Sequence, residues 1–113
     1  MKARDFIKDD EKIMVIYTEN ILLELGDDNT GLTGDWWINP SHSIDRVIIY
    51  CPVYQDRYTW VNTLYIGNHA GVIFVEEKER YKIKLAHVQY IGKTKLNWHE
   101  FADTGTFPIR YLP

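Results

Sequence analysis

Residues Arg80-Tyr81-Lys82-Ile83-Lys84-Leu85 alternate strictly between basic and apolar side chains, with Tyr81 on the apolar side. A period of two belongs to a β-strand, so Arg80, Lys82 and Lys84 share one face while Tyr81, Ile83 and Leu85 share the other. The apolar phase then moves to Ala86, Val88 and Tyr90. A change of phase within one strand predicts a bulge or bend near Leu85-Ala86, which lets each half of the strand turn its own apolar side inward. That is the geometry of a sheet curling toward a small barrel. The chain is expected to be mostly β (α+β), a small curved β barrel with one or two short helices.

The remaining segments fit that expectation. Lys12 to Tyr17 reads as a strand, and Thr18 to Leu25 as a short helix capped by Thr18 and stopped by Gly26, with a second strand as the competing reading. Gly26 to Asp35 is turn chemistry throughout. Asn39-Pro40 is the cap-then-proline order that starts one helical turn. Val47-Ile48-Ile49-Tyr50-Cys51 is continuously apolar, as in a central strand buried on both faces, and Pro52 is expected to end it. Val53 to Trp60 then forms a polar aromatic loop. Thr63–Gly67 and Gly71–Val75 read as two strands joined by a turn at Asn68-His69-Ala70. A helical turn is expected over Leu96–Ala102, and a last edge strand, flanked by prolines, over Phe107–Leu112. With 113 residues and no repeat or linker, one domain over 1–113 is expected.

Several chemistries find no support in the residues. Cys51 is the only cysteine and sits in an apolar run, so it reads as a buried small hydrophobe. His42, His69, His87 and His99 are scattered singly, without the spacing of a metal site. Ser41-His42-Ser43 lacks a nucleophile elbow, and adjacent side chains do not face one another. Tyr90-Ile91-Gly92, with Arg80-Tyr81 upstream, matches half of the GIY-YIG nuclease signature, yet only about twenty residues follow it, too few for the helices that nuclease needs. No cofactor is implied and no enzyme is expected. The charged start, Lys8 to Lys12, is unlike a signal peptide, and no apolar run has the length of a membrane span, so a cytoplasmic protein is expected.

Two features point toward a ligand. The 4 Trp, 8 Tyr and 4 Phe exceed what packing so small a domain needs. The net charge of −3 is also segregated: residues 1–35 hold nine Asp/Glu against four Lys/Arg, and residues 78–113 hold seven Lys/Arg against three Asp/Glu. A basic end can meet phosphates on an acidic protein, although a small domain solvating its exposed strands gives the same pattern. The pair Trp36-Trp37 stands where a loop meets a strand and offers a stacking surface, but strand alternation turns one of the two inward.

Gly34-Asp35-Trp36-Trp37-Ile38-Asn39-Pro40, Arg46 to Tyr50, Leu64 to Gly67 and Asn97-Trp98-His99-Glu100-Phe101 together resemble small bacterial domains of the PUA-like superfamily, especially its EVE-type branch, over roughly residues 34 to 111. The resemblance lies in the order of elements and the aromatic landmarks. It implies a curved barrel that holds a flipped modified base in an aromatic-walled pocket, with Trp36 and Trp37 as walls and Asn39 and Ser41 at the base edge. Asn39 serves equally well as a helix cap.

On this reading the chain is a non-enzymatic reader of a modified base in single-stranded or flipped nucleic acid, DNA or RNA, with Lys82, Lys84, Lys93 and Arg110 on the backbone. The alternative is a small protein-interaction module of an immunity or defence-accessory type, whose exposed aromatics meet a protein partner. A more distant alternative is an acylated-cytidine amidohydrolase, since Lys93, Thr94 and Glu100 match the residue types that such relatives use.

Overall fold

The computed structural model describes residues 1–8, 10–19, 23–105 and 107–112. Seven strands form one mixed sheet: β1 (Ile13–Tyr17), β2 (Leu23–Leu25), β3 (Gly31–Trp36), β4 (Arg46–Tyr54), β5 (Trp60–Val75), β6 (Arg80–Thr94) and β7 (Ile109–Leu112), in the spatial order β2-β3-β6-β5-β4-β1-β7. The helical parts are a 3₁₀ turn at Ala3–Phe6 and one short helix, α1 (Trp98–Ala102). The fold is therefore mostly β. Among the described residues the sheet is open, since β2 and β7 end the order without pairing to each other. No helix there is long and apolar enough to cross a membrane.

β1 and β4 pair in parallel at the middle of the molecule, from Ile13 opposite Arg46 to Tyr17 opposite Tyr50. Both are buried on both faces, which is why they read as unbroken apolar runs. One face, with Ile13, Val15, Ile48, Tyr50, Leu64 and Ile66, packs against Trp98, Phe101 and Ala102 of α1 and against Ala3. The other face, with Met14, Ile16, Val47, Ile49 and Cys51, packs with Trp36, Ile83, Leu85 and Val88 of the sheet's own far side. No helix among the described residues covers this second face, yet Val47, Ile49 and Ile83 have no exposed surface. The sheet covers itself by curling, and only the Ile38 and Ile44 loop adds to the cover.

The curl is built from register shifts along the β5–β6 ladder. Ile66 pairs with Gln89 and Asn68 with Ala86, so His87 and Val88 together oppose Gly67 alone. The expected bulge is present, one or two residues beyond Leu85-Ala86, with His87 at φ 51°. It allows Val88 to join Ile83 and Leu85 in one cluster despite the change of parity. A Cβ on Gly67 would lie 3.1 Å from Val88 Cγ2 and 3.2 Å from the Ala86 carbonyl, so the close approach at this bulge favours glycine. A second bulge places Ala70 and Gly71 against Lys84, with Gly71 at φ +117°.

Several expectations are corrected by these elements, the first being the turn over Gly26–Asp35, whose second half, from Gly31, is strand β3. Asn68-His69-Ala70 is not a hairpin turn, because both halves of β5 keep pairing with β6 and the glycine serves a bulge inside one 16-residue strand. Leu23–Leu25 is strand rather than helix, paired antiparallel with Gly31–Thr33; residues 20–22 of the expected helix lie outside the described residues. Pro52 does not end its strand. The Tyr50 carbonyl accepts the Thr18 N–H, so Tyr50 and, two residues on, Pro52 both point toward the side of β1. β1 has ended there, and no ladder bond is lost by the missing N–H. The loop expected at Val53–Trp60 thus shrinks to Gln55–Thr59, where Asp56 Oδ1 accepts the N–H groups of Tyr58 and Thr59 at 2.8 and 3.0 Å. The helical turn expected at Asn39-Pro40 is a single hydrogen-bonded turn closed by His42 N–H on the Asn39 carbonyl. The expected α1 and the edge position of β7 are as the sequence indicated.

The N-terminal turn is tied down by charge. Arg46 gives Glu11 two hydrogen bonds of 2.6 Å through Nε and Nη2, and its Nη2 also donates to the Phe6 carbonyl at 2.7 Å. Both partners are largely buried, whereas the Arg4–Asp103 pair that joins the turn to α1 is half exposed. Charged hydrogen bonds of the first kind contribute about 1.5–3 kcal/mol, and exposed pairs about 0–1 kcal/mol. The Arg46 hydrogen bonds hold the Glu11 carboxyl below its ordinary 4.5. A lowered carboxylate pKa adds stability above the unfolded value and loses it as pH falls through the folded one. We expect Glu11→Gln to lower urea-unfolding stability at pH 7 by about 1.5–3 kcal/mol and to flatten the loss of stability below pH 4.5, and Arg4→Ala to cost under about 1 kcal/mol. Equal effects of the two substitutions would contradict this assignment.

Candidate functional site

β4 and β5 outrun their neighbours. The parallel ladder stops at Tyr17 opposite Tyr50, and the last pair between β5 and β6 is Asn62 opposite Thr94. Beyond those points a two-stranded ribbon continues to its turn at Gln55–Thr59, with Tyr54 paired to Trp60. Alternation places Tyr50, Pro52 and Tyr54 of β4, and Trp60 and Asn62 of β5, on the face that carries α1. Because α1 spans only five residues, it stops short and leaves this part of the face uncovered. The result is an open groove of about 830 Å³ between the ribbon and α1.

Aromatic rings form its walls. Tyr17 stacks on Tyr50 at 5.7 Å and 24°, and the Trp98 ring stands edge-on to both at 5.7 and 5.6 Å. Tyr54 and Trp60 meet across the ribbon at 6.2 Å, and both are mostly exposed. Between the walls lie Asn62 and Thr94, with Lys95 and His99 also lining the groove. Several polar atoms are already engaged by the frame: the Tyr50 hydroxyl donates to the Leu96 carbonyl at 2.7 Å, and Trp98 Nε1 donates to the Phe107 carbonyl at 2.9 Å. The α1 cap is Asn97, whose Oδ1 accepts Glu100 N–H. An aromatic slot with a few polar groups is a stacking site for a planar ligand, and its size lies within the range of small-molecule pockets.

The residues singled out in the sequence lie elsewhere and apart. Trp36 is 8% exposed, in the core under the curl, with its Nε1 on Thr33 Oγ1 at 3.2 Å. Trp37 is 81% exposed, with the Arg80 guanidinium 5.0 Å from its ring centre. The two rings therefore do not face each other across a slot. Asn39 Oδ1 accepts both the backbone N–H and the hydroxyl of Ser41, at 3.0 and 2.7 Å, so this pair serves its own turn.

Nor do the four cations converge. Lys82 and Lys84 lie opposite Ile83 and Leu85, and the Lys82 stem lies against Gly34. Lys93 shares the face of its partner Thr63, turned away from the Thr94 side. Arg110 is on β7, four strands from β6, with its buried Nε unpartnered among the described residues. Alternation likewise separates Lys93 from Thr94, and Glu100 lies on α1. Among the described residues no three His, Cys, Asp or Glu side chains gather as a metal site.

The groove was missed because its aromatics come from four separate segments. A signal was nonetheless present: Tyr50-Cys51-Pro52-Val53-Tyr54 carries rings at i and i+4 of one strand face, and Trp60 lies directly beyond the Asp56 turn.

No protein-family model, curated protein or solved structure matches the chain.

Burial pushes the Tyr50 hydroxyl up to about 12, with the nearby Tyr17 and Glu100 adding to the shift, and raises Tyr17 as well, mainly by burial. The neutral phenol is the form the fold prefers. Its contribution is complete below the ordinary value of 10 and is lost as pH rises toward 12. Ultraviolet titration of the phenolates is expected to show a late component near pH 12 that Tyr50→Phe removes. Its persistence in the variant would assign that component to another tyrosine.

Proposed function

We propose that the chain is a non-enzymatic nucleic-acid reader that takes one base of a single-stranded or flipped nucleotide into the groove between Tyr17, Trp98, Tyr54 and Trp60. The observation that carries this reading is the groove itself: an open site of about 830 Å³ lined by aromatic rings of four segments, with short polar side chains among them. Stacking on such rings contributes about 1–3 kcal/mol per base. That the base is a modified one is what the resemblance to PUA-like domains implies. The polymer class rests on the resemblance to PUA-like domains of the EVE type, and with it the description of the curled sheet as a barrel of that kind. In this proposal the walls move from Trp36 and Trp37 to Tyr54 and Trp60, and Lys95 at the groove meets a phosphate.

A second reading, the protein-interaction module, is favoured by apolar side chains exposed away from the groove near the β5–β6 turn, Ile73 on one face and Phe74 on the other, with Trp37 beside Arg80. One titration distinguishes the two. Tryptophan fluorescence is followed as short oligonucleotides, with modified and unmodified bases, are added at low salt. We expect saturable quenching that Trp60→Ala weakens by about 1–3 kcal/mol and Trp37→Ala leaves intact. The logarithmic salt slope should fall by roughly 0.7 in Lys95→Ala. Silence across the whole panel would favour the interaction module.

A further inference from the structure

Asn62 and Thr94 face each other across the β5–β6 ladder, side by side on the groove floor between the aromatic walls. One residue, Leu96, orients both through its main chain. Asn62 Nδ2 donates to the Leu96 carbonyl at 3.4 Å, and Thr94 Oγ1 accepts the Leu96 N–H at 3.1 Å. A carbonyl only accepts, so the amide nitrogen must be the atom toward Leu96, and Oδ1 is left as an acceptor for the groove. Thr94 Oγ1 accepts the hydrogen bond from Leu96 N–H, so its own O–H remains free to donate. The floor thus offers one acceptor and one donor, one strand spacing apart. The Leu96 carbonyl also accepts the Tyr50 hydroxyl, which fixes it against the wall.

Resting on the base-binding reading of this groove, we infer that Asn62 and Thr94 are its specificity-determining pair, and that they select a ring edge carrying an unblocked N–H donor beside an acceptor, a cyclic amide or amidine edge. Asn62 Oδ1 accepts a hydrogen bond from the ligand N–H, and the Thr94 hydroxyl donates one to the neighbouring ligand oxygen or nitrogen. The rings supply affinity for any planar group, and this pair supplies the choice. A substituent on the edge nitrogen removes the donor and leaves the Asn62 acceptor unpaired in the groove, a loss that stacking does not offset.

The experiment uses the full chain and the oligonucleotide that quenches tryptophan fluorescence best, paired with the same oligonucleotide blocked at the base edge: N3-methylthymine for thymine, N4,N4-dimethylcytosine for cytosine, N6,N6-dimethyladenine for adenine or N1-methylguanine for guanine. Blocking should weaken binding to the wild type by at least about tenfold. In Asn62→Leu and Thr94→Val the ratio between blocked and free edges should collapse toward one while quenching at Trp60 persists, and Thr94→Ser, which keeps the donor, should retain it. If Asn62→Leu does not fold, the contrast between Thr94→Val and Thr94→Ser carries the test. Equal binding of blocked and free edges by the wild type, or an unchanged ratio in Thr94→Val, overturns the inference while leaving base binding standing. Absence of quenching by every oligonucleotide overturns the base-binding reading, and this inference with it.

Discussion

The opposition of His87 and Val88 to the single residue Gly67 governs most of the molecule. With regular pairing, Val88 would point away from Ile83 and Leu85, and the inner face would lose its apolar lining where the sheet must turn. Two residues against one restore the face and add local twist. The curl that follows lets β3 and β6 cover the inner face of β1 and β4, leaving α1 and the N-terminal turn to cover the outer one. One sheet therefore maintains two cores, and among the described residues a single five-residue α-helix packs on its outer face.

The groove follows from the same economy. A helix long enough to cover the whole outer face would bury Tyr54 and Trp60. The short α1 covers only the middle, where Phe101 and Trp98 meet Tyr50. Tyr50 belongs to both regions, with its ring in the core and its hydroxyl on the Leu96 carbonyl at the groove. The site is thus attached to the most buried part of the fold through one side chain, while its outer wall stands on a ribbon with no third strand beside it among the described residues.

What was legible in the sequence was local and periodic. The alternation from Arg80 and its change of phase located the bulge to within two residues, and the apolar run from Val47 marked a strand buried on both faces. Gly71 and Pro52 misled, because each was read by its usual role, a turn and a strand end. A glycine serves a bulge as readily as a turn, and the cost of a proline depends on which neighbour its nitrogen faces, a tertiary fact. Trp36-Trp37 is an adjacent pair, yet adjacency on a strand separates rings, whereas Tyr54 and Trp60, six residues apart around a turn, are brought together. Site residues assembled from several strands leave little trace in any one window of sequence.

Pro52 has a consequence beyond its own strand. An aromatic-rich ribbon with a free edge is a template on which a second chain can lengthen the sheet, and the ring surfaces that suit a ligand would favour such pairing. At the stretch where β4 has no partner on its β1 side among the described residues, the proline withholds one of the outward N–H donors that an added strand would need. One withheld N–H makes the edge beside the groove a poorer template for another copy of the chain.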